Sequence, residues 1–222
     1  MEQFEVFQHI LKAVRKAQKI KAKPIRLAIN GIEGTGKTTF AYNLVNYLCR
    51  KDLIAIHISI DGFHFNKERR YKQGRDSADG YYEDAYDEAA FVKNVLQRSQ
   101  GDPPEYIEAT HDLLTDIYLD LQPIKLADNS VLVTDGCYLF KPVFNDYWDL
   151  KIYLKTDFQT ALERGVKRDQ KALGGYEQAK EKFQLRYHAA SKRYISEINP
   201  EKLADIVIDN TDFENLNIIS TI

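Results

Sequence analysis

The chain has 222 residues, 44% of them apolar and 29% charged, with a formal net charge of −2 and a pI near 6.2. That apolar share supports a buried core and excludes a disordered chain. The near-neutral balance supplies no global positive field to recruit nucleic acid or an anionic membrane, so an anionic ligand must be held by local geometry.

In chain order, residues 2–19 carry Phe4, Phe7, Ile10, Leu11 and Val14 at helical spacing, with Lys12, Arg15, Lys16 and Lys19 mostly on the other faces. This reads as a packing helix with a solvated basic face; a basic surface that docks something acidic is the alternative. Residues 25–29 read as a short buried strand closed by Asn30-Gly31, and residues 37–50 as a helix presenting Phe40, Leu44, Val45 and Leu48. Residues 53–60 form a second β-branched run, bounded by Asp61-Gly62. Residues 62–80 are polar, without a period, and too long for a simple connection. A helix is expected over 84–98, broken by Gly101-Asp102-Pro103-Pro104 and followed by irregular chain to about residue 129. Residues 131–136, 150–154 and 205–209 supply a third, fourth and fifth strand, with helices over 158–172 and 176–198 separated by Gly174-Gly175.

Apolar strands alternating with amphipathic helices predict an α/β three-layer fold, a five-stranded parallel sheet with helices on both faces. Ligands in such sheets bind beyond the carboxyl ends of the strands. Three of the strands run into a polar pair at that end: Asn30-Gly31, Asp61-Gly62 and Asp135-Gly136.

Cys49 and Cys137 stand far apart, which excludes a disulfide framework and fits a reducing compartment. No stretch reaches the roughly 18 apolar residues of a membrane span, and charges recur through residues 1–23, unlike a secretory signal. The expectation is a single cytoplasmic domain over 1–222, with a helix in 1–23, no nucleic-acid or membrane partner, and self-association left open.

Gly31-Ile32-Glu33-Gly34-Thr35-Gly36-Lys37-Thr38 matches the phosphate-binding pattern G-x-x-x-x-G-K-[ST]. Glycines let successive N–H groups turn inward as an anion nest, and the helix that follows adds its free N–H groups and dipole. Lys37 reaches the β and γ phosphates, and the Thr38 hydroxyl is a Mg²⁺ ligand. The donor-binding set is therefore Gly31, Glu33, Gly34, Thr35, Gly36, Lys37, Thr38 and Thr39, with ATP and Mg²⁺ as the expected cofactors.

Asp61 ends the second strand. It reads as a turn aspartate or, beside a phosphate loop, as an acid that accepts a proton from an attacking hydroxyl or helps hold Mg²⁺. Asp135 ends the third strand, where the acid that steadies the metal opposite Thr38 belongs. Arg164 and Arg168 share a helical face. They precede the Gly174-Gly175 break, so residues 163–176 could form a lid that brings both to the γ-phosphate; a solvated face is the alternative. The polar loop interleaves aromatics with donors, including His64, Arg75, Tyr81 and Tyr82, a mixture suited to stacking and hydrogen-bonding a small hydroxylated acceptor. His57, inside an apolar strand, reads as a structural histidine. A nucleotide switch would want N-K-x-D, but Asn66-Lys67 continues Glu68-Arg69, and Asp135-Gly136-Cys137-Tyr138 lacks D-x-x-G.

On the segments GIEGTGKTTF, SIDGFHF, SADGYYEDAYD, VTDGCYLF, WDLKIYL, ERGVKRD and the tail ending ADIVIDN, the chain resembles the uridine kinase, phosphoribulokinase and bacterial pantothenate kinase superfamily, most nearly its uridine kinase-like members. The resemblance runs from about Pro24 to Asn210. It implies a P-loop NTPase fold with an acceptor-binding insertion over 62–130 and a small lid. It further implies Asp61 as general base, Thr38, Asp61 and Asp135 around Mg²⁺, Arg164 and Arg168 as lid arginines, and Tyr106 and His111 near the acceptor. The expected activity is ATP-dependent phosphorylation of a small metabolite, first the 5′-OH of uridine or cytidine, otherwise pantothenate, nicotinamide riboside or a sugar. The chain departs from uridine kinases at several positions: Asp135 stands where they usually place Glu, His64 where they place Tyr, Ala161 and Gly165 where they carry two more lid arginines, and their ribose-binding aspartate has no clear counterpart, with Asp79 or Tyr81 in that region.

Overall fold

The computed structural model describes residues 3–221. Helix α1 (Gln3–Ile20) precedes β1 (Ile25–Asn30), α2 (Lys37–Cys49) and β2 (Ala55–Ser59). Helix α3 (Ala78–Asp84) leads through the insertion to β3 (Val131–Gly136) and β4 (Leu150–Lys155). Helix α4 (Phe158–Asp169) follows, then α5 (Tyr176–Lys182), a π-helical turn (Phe183–Tyr187) and α6 (His188–Ile198), before β5 (Ile206–Asp209) and β6 (Asn217–Thr221). The sheet order is β6-β5-β4-β1-β3-β2. Strands β1 to β5 pair in parallel, and β6 runs antiparallel to β5 along the edge.

Every residue of β1 and β3 is buried, as expected of parallel strands covered on both faces. The period of two sends Ile25, Leu27 and Ile29 into a core shared with Phe7, Ile10 and Val14 of α1 and Phe40 and Leu44 of α2. Ala28 faces the second core, with Phe91, Phe144, Tyr138 and Tyr194. Helix α1 thus packs by Val6, Phe7, Ile10, Leu11 and Val14, while Lys12, Arg15, Lys16 and Lys19 are exposed.

The structure differs from the sequence expectation in three places. The sheet has six strands, because the tail adds β6; its side chains are mostly exposed, so no buried or alternating pattern marks it. The helix expected from 84 is interrupted: Ser77 Oγ accepts from Gly80 N at 2.9 Å to start α3. Asp87 Oδ1 then accepts from Ala90 N at 2.9 Å to start a new helical run. These N-caps divide the segment into two helical pieces. The stretch to residue 129 is not wholly irregular, since Glu105–Tyr106 pairs with Ile124–Lys125 and His111–Asp112 with Ile117–Tyr118.

Candidate active site

The loop between β1 and α2 is built from glycines that nothing else can replace. Gly34 and Gly36 have φ of +85° and +93°, and a Cβ on Gly34 would lie 2.0 Å from the carbonyl oxygen of Ala161. Two polar clasps hold the turn: Thr35 Oγ1 donates to Ile32 O at 2.7 Å, and Asn210 Nδ2 donates to Thr35 O at 2.6 Å. Gly36 caps α2 with no side-chain bond, so the free N–H groups of the first turn remain available to an anion. Lys37, 8% exposed, curls over the loop and donates to Ile32 O at 2.9 Å. Burial would lower its pKa, but neighbouring acids, Glu33 and Asp135 among them, carry it upward, so the ammonium stays charged.

Beside this cradle, Thr38 Oγ1 donates to Asp135 Oδ2 at 2.6 Å. The other oxygen of Asp135 meets His57 Nε2 at 2.7 Å. The histidine is structural in the sense that it fixes Asp135. A hydroxyl and a carboxylate side by side form an oxygen donor set suited to a hard divalent cation, which typically keeps waters and phosphate oxygens as its remaining ligands. No cluster of three or more His, Cys, Asp or Glu residues able to hold a metal occurs among the described residues.

Asp61 lies in the 3₁₀ turn after β2 (Ile60–Phe63). Water reaches it from the cleft mouth, where it is exposed, but protein surrounds it on the inner side. Confinement, followed by the charges of Glu33 and Asp135, raises its carboxyl to about 6. Tyr86 Oη donates to Asp61 Oδ1 at 3.2 Å. His64 Nδ1 is 2.8 Å from Asp61 O, and its ring lies 4.3 Å from that of Tyr86. Burial depresses His64 to about 4, so it is neutral near pH 7.

Glu33 accepts from the Tyr81 hydroxyl and, at 3.2 Å, from Cys137 Sγ. Burial opposes its charge, yet Lys37 and Tyr81 more than compensate and hold its pKa below the usual range. Cys137 is pushed well above the ordinary thiol value, first by burial and then by Glu33; it is an uncharged donor here. Glu33, Lys37, Thr38, Asp61, Tyr86, Asp135, Cys137 and Arg168 enclose a polar cavity of about 70 Å³.

Of the residues singled out from sequence, Glu33, Gly36, Lys37, Thr38, Thr39, Asp61, Asp135 and Arg168 line this cavity, while Tyr81 reaches it only through Glu33 and His64 only through the Asp61 backbone. Arg168 is held bidentate by Asp169 at 2.7 and 2.8 Å. Arg164 goes elsewhere: its guanidinium donates to Asn210 O and Thr211 O at 2.8 and 2.7 Å, and lies 5.5 Å from the Phe213 ring centre. It lines a second, larger cavity of about 440 Å³, which shares Gly36, Thr39 and Arg168 with the first. Tyr82, Arg75, Tyr106 and His111 line neither cavity. Tyr82 packs under the Lys141 ammonium and the Arg193 guanidinium, at 3.9 and 4.5 Å. Arg75 lies 5.4 Å from the Tyr71 ring. Tyr106 is in the core, and His111 is buried against Tyr118, 3.3 Å from Asp116. Sequence reasoning passed over Tyr86 and Asn210. Asn210 directly follows β5 and carries the same strand-end polar signal as Asn30, while Tyr86 lies in the SADGYYEDAYD segment on which the resemblance rests.

The family model described as Phosphoribulokinase / Uridine kinase family matches residues 27–216. A uridine kinase of Leuconostoc citreum is 27% identical over 191 residues, covering 81% of this chain and 88% of the relative. Among solved structures, a possible uridine kinase from Bacillus stearothermophilus is 19% identical with a TM-score of 0.65, covering 90% of this chain and 98% of the other. The D-glycerate 3-kinase of Cryptococcus neoformans is 9% identical with a TM-score of 0.60, covering 97% and 98%. These structures share the P-loop kinase fold. No helix among the described residues is long and apolar enough to cross a membrane.

Proposed function

The chain belongs to the phosphoribulokinase / uridine kinase family, and on that premise we propose that it transfers the γ-phosphoryl group of ATP to a hydroxyl of a small metabolite, with the 5′-OH of uridine or cytidine the first candidate. The observation that carries this reading is that Asp61 shares one polar cavity with Lys37 and the bonded pair Thr38 and Asp135. A proton acceptor therefore stands beside the phosphate-binding groups, as transfer to an alcohol requires.

Lys37 and the loop amides bind the β and γ phosphates, and Thr38 and Asp135 would hold the cation. Mg²⁺, when bound, neutralises charge on the phosphate oxygens. Asp61, oriented by Tyr86, takes the acceptor's hydroxyl proton as the new O–P bond forms and the bond to ADP breaks; the proton then leaves to solvent. Arg168, which reaches the same cavity, adds positive charge where the transferring group gathers negative charge. The pull of Asp169 on Arg168 is strong enough to raise its pKa, so it stays protonated throughout.

The loop arginines favour an acceptor without an anionic group. Arg70 pairs with Asp116 at 3.1 Å and Arg69 covers the Phe65 ring at 3.5 Å, while Arg75 lies outside the cavity. Acids dominate near Asp61, which disfavours pantothenate against a nucleoside, nicotinamide riboside or a sugar. ADP release measured with each of these acceptors in turn tests the reading. Stimulation by a nucleoside supports it; release that no acceptor raises above background would remove the kinase assignment.

A further inference from the structure

The cavity of about 440 Å³ beside the phosphate loop has a wall from outside the family domain. Its lining includes Gln3 of α1 and Asn43 of α2, while the family match begins only at residue 27. Helix α1 is docked on α2 through Phe7 and Phe40, edge to face at 5.2 Å, and this contact brings Gln3 over the cavity rim. There Asn43 Nδ2 donates to Gln3 Oε1 at 3.4 Å.

We propose that Gln3 and Asn43 form a carboxamide pair that reads the edge of the donor nucleotide's base and selects adenine, making the N-terminal helix part of the donor site. The inference rests on the phosphotransfer reading above. The cavity joins the phosphate cradle at Gly36 and Thr39, so a nucleotide whose phosphates occupy the loop has its base on this side. Phe213, 63% exposed with the Arg164 guanidinium 5.5 Å from its ring centre, offers an aromatic face on which a base can stack. The edge chemistry then decides which base. A carboxamide carries a donor and an acceptor in one plane and matches the adjacent amino group and ring nitrogen of adenine. The adjacent N–H donors of guanine call for a carboxylate, and none of the residues lining the cavity is acidic.

Calorimetric titration with ADP and GDP tests this without any phosphoryl acceptor. The wild type is expected to bind ADP about tenfold more tightly than GDP, and Gln3→Ala and Asn43→Ala each to narrow that ratio to about threefold or less. Asn43→Asp should tilt preference toward GDP. Circular dichroism on each variant verifies the fold, and alanine suits the helical site of Asn43. Wild-type binding without base preference, or variants that keep the wild-type ratio, would overturn the proposal while leaving phosphotransfer standing. Failure of the wild type to bind either nucleotide would overturn both.

Discussion

The imidazole of His57 bonds the carboxylate of Asp135 at 2.7 Å, on the oxygen that the Thr38 hydroxyl leaves free. Asp135 is 2% exposed, and these two bonds fix its orientation from both sides. Partners of this kind set how well a metal-binding carboxylate is aimed, and their loss typically costs about 10–100-fold in metal affinity. His57→Phe should therefore raise the Mg²⁺ concentration for half-maximal nucleotide turnover by about tenfold with less effect on the rate at saturating metal. A magnesium titration measures it, and an unchanged midpoint would leave His57 a packing residue.

Gly34 and Gly74 provide a matched pair. Both have positive φ, +85° and +102°, but a Cβ on Gly34 meets Ala161 O at 2.0 Å, whereas one on Gly74 meets nothing within 4 Å. Gly74→Ala bears only the backbone strain, about 1 kcal/mol, and should leave nucleotide binding intact. Gly34→Ala adds a clash with a backbone atom that can yield only by moving the loop from α4, so it should cost more than about 2 kcal/mol and abolish binding. Urea denaturation and nucleotide titration on the two variants check both statements.

Stability of the ligand-free protein should depend on two opposed titrations. Burial depresses His64 from 6.5 to about 4. Its contribution is full above pH 6.5 and is lost as pH falls toward 4, where only the unfolded chain takes up the proton readily. Asp61 is raised from 3.8 to about 6, so its contribution is full below pH 3.8 and is lost as pH rises through 6. His64 is 6% exposed, and its swing is on the order of 3 kcal/mol; Asp61 is open to water, and screening leaves it under about 1 kcal/mol. The wild type should therefore gain stability from pH 4.5 to pH 7. His64→Gln should remove most of that gain, and Asp61→Asn should enlarge it slightly. Urea midpoints at the two pH values decide, and a slope unaffected by His64→Gln would contradict the assignment.

The phosphate loop of the candidate site was legible because it is local. The phosphate loop is contiguous, and the strand-end acids follow apolar runs whose burial leaves little choice of element, so the strand expected over 131–136 is the one found. The acceptor half depends on tertiary position. Tyr81 and Tyr82 are sequence neighbours, yet one reaches Glu33 and the other packs beneath Lys141; successive helical residues point about 100° apart, and only the docking of α3 decides which faces the cleft. Arg164 and Arg168 share a helical face but meet different partners, the Asn210–Thr211 carbonyls and Asp169. No local pattern encodes that division. The edge strand β6 is exposed and escaped notice for the converse reason, since pairing rather than burial holds it.

Phosphoryl transfer as proposed requires Asp61 to take the acceptor's proton. The most direct test is Asp61→Asn, with nucleotide affinity measured by calorimetry and turnover measured with the acceptor that the panel identifies. The nearly isosteric amide should leave affinity within about threefold and lower kcat by about a hundredfold or more, the scale of a lost general base. A kcat within about threefold of wild type would contradict this role, because Asp61 would then only line the cavity.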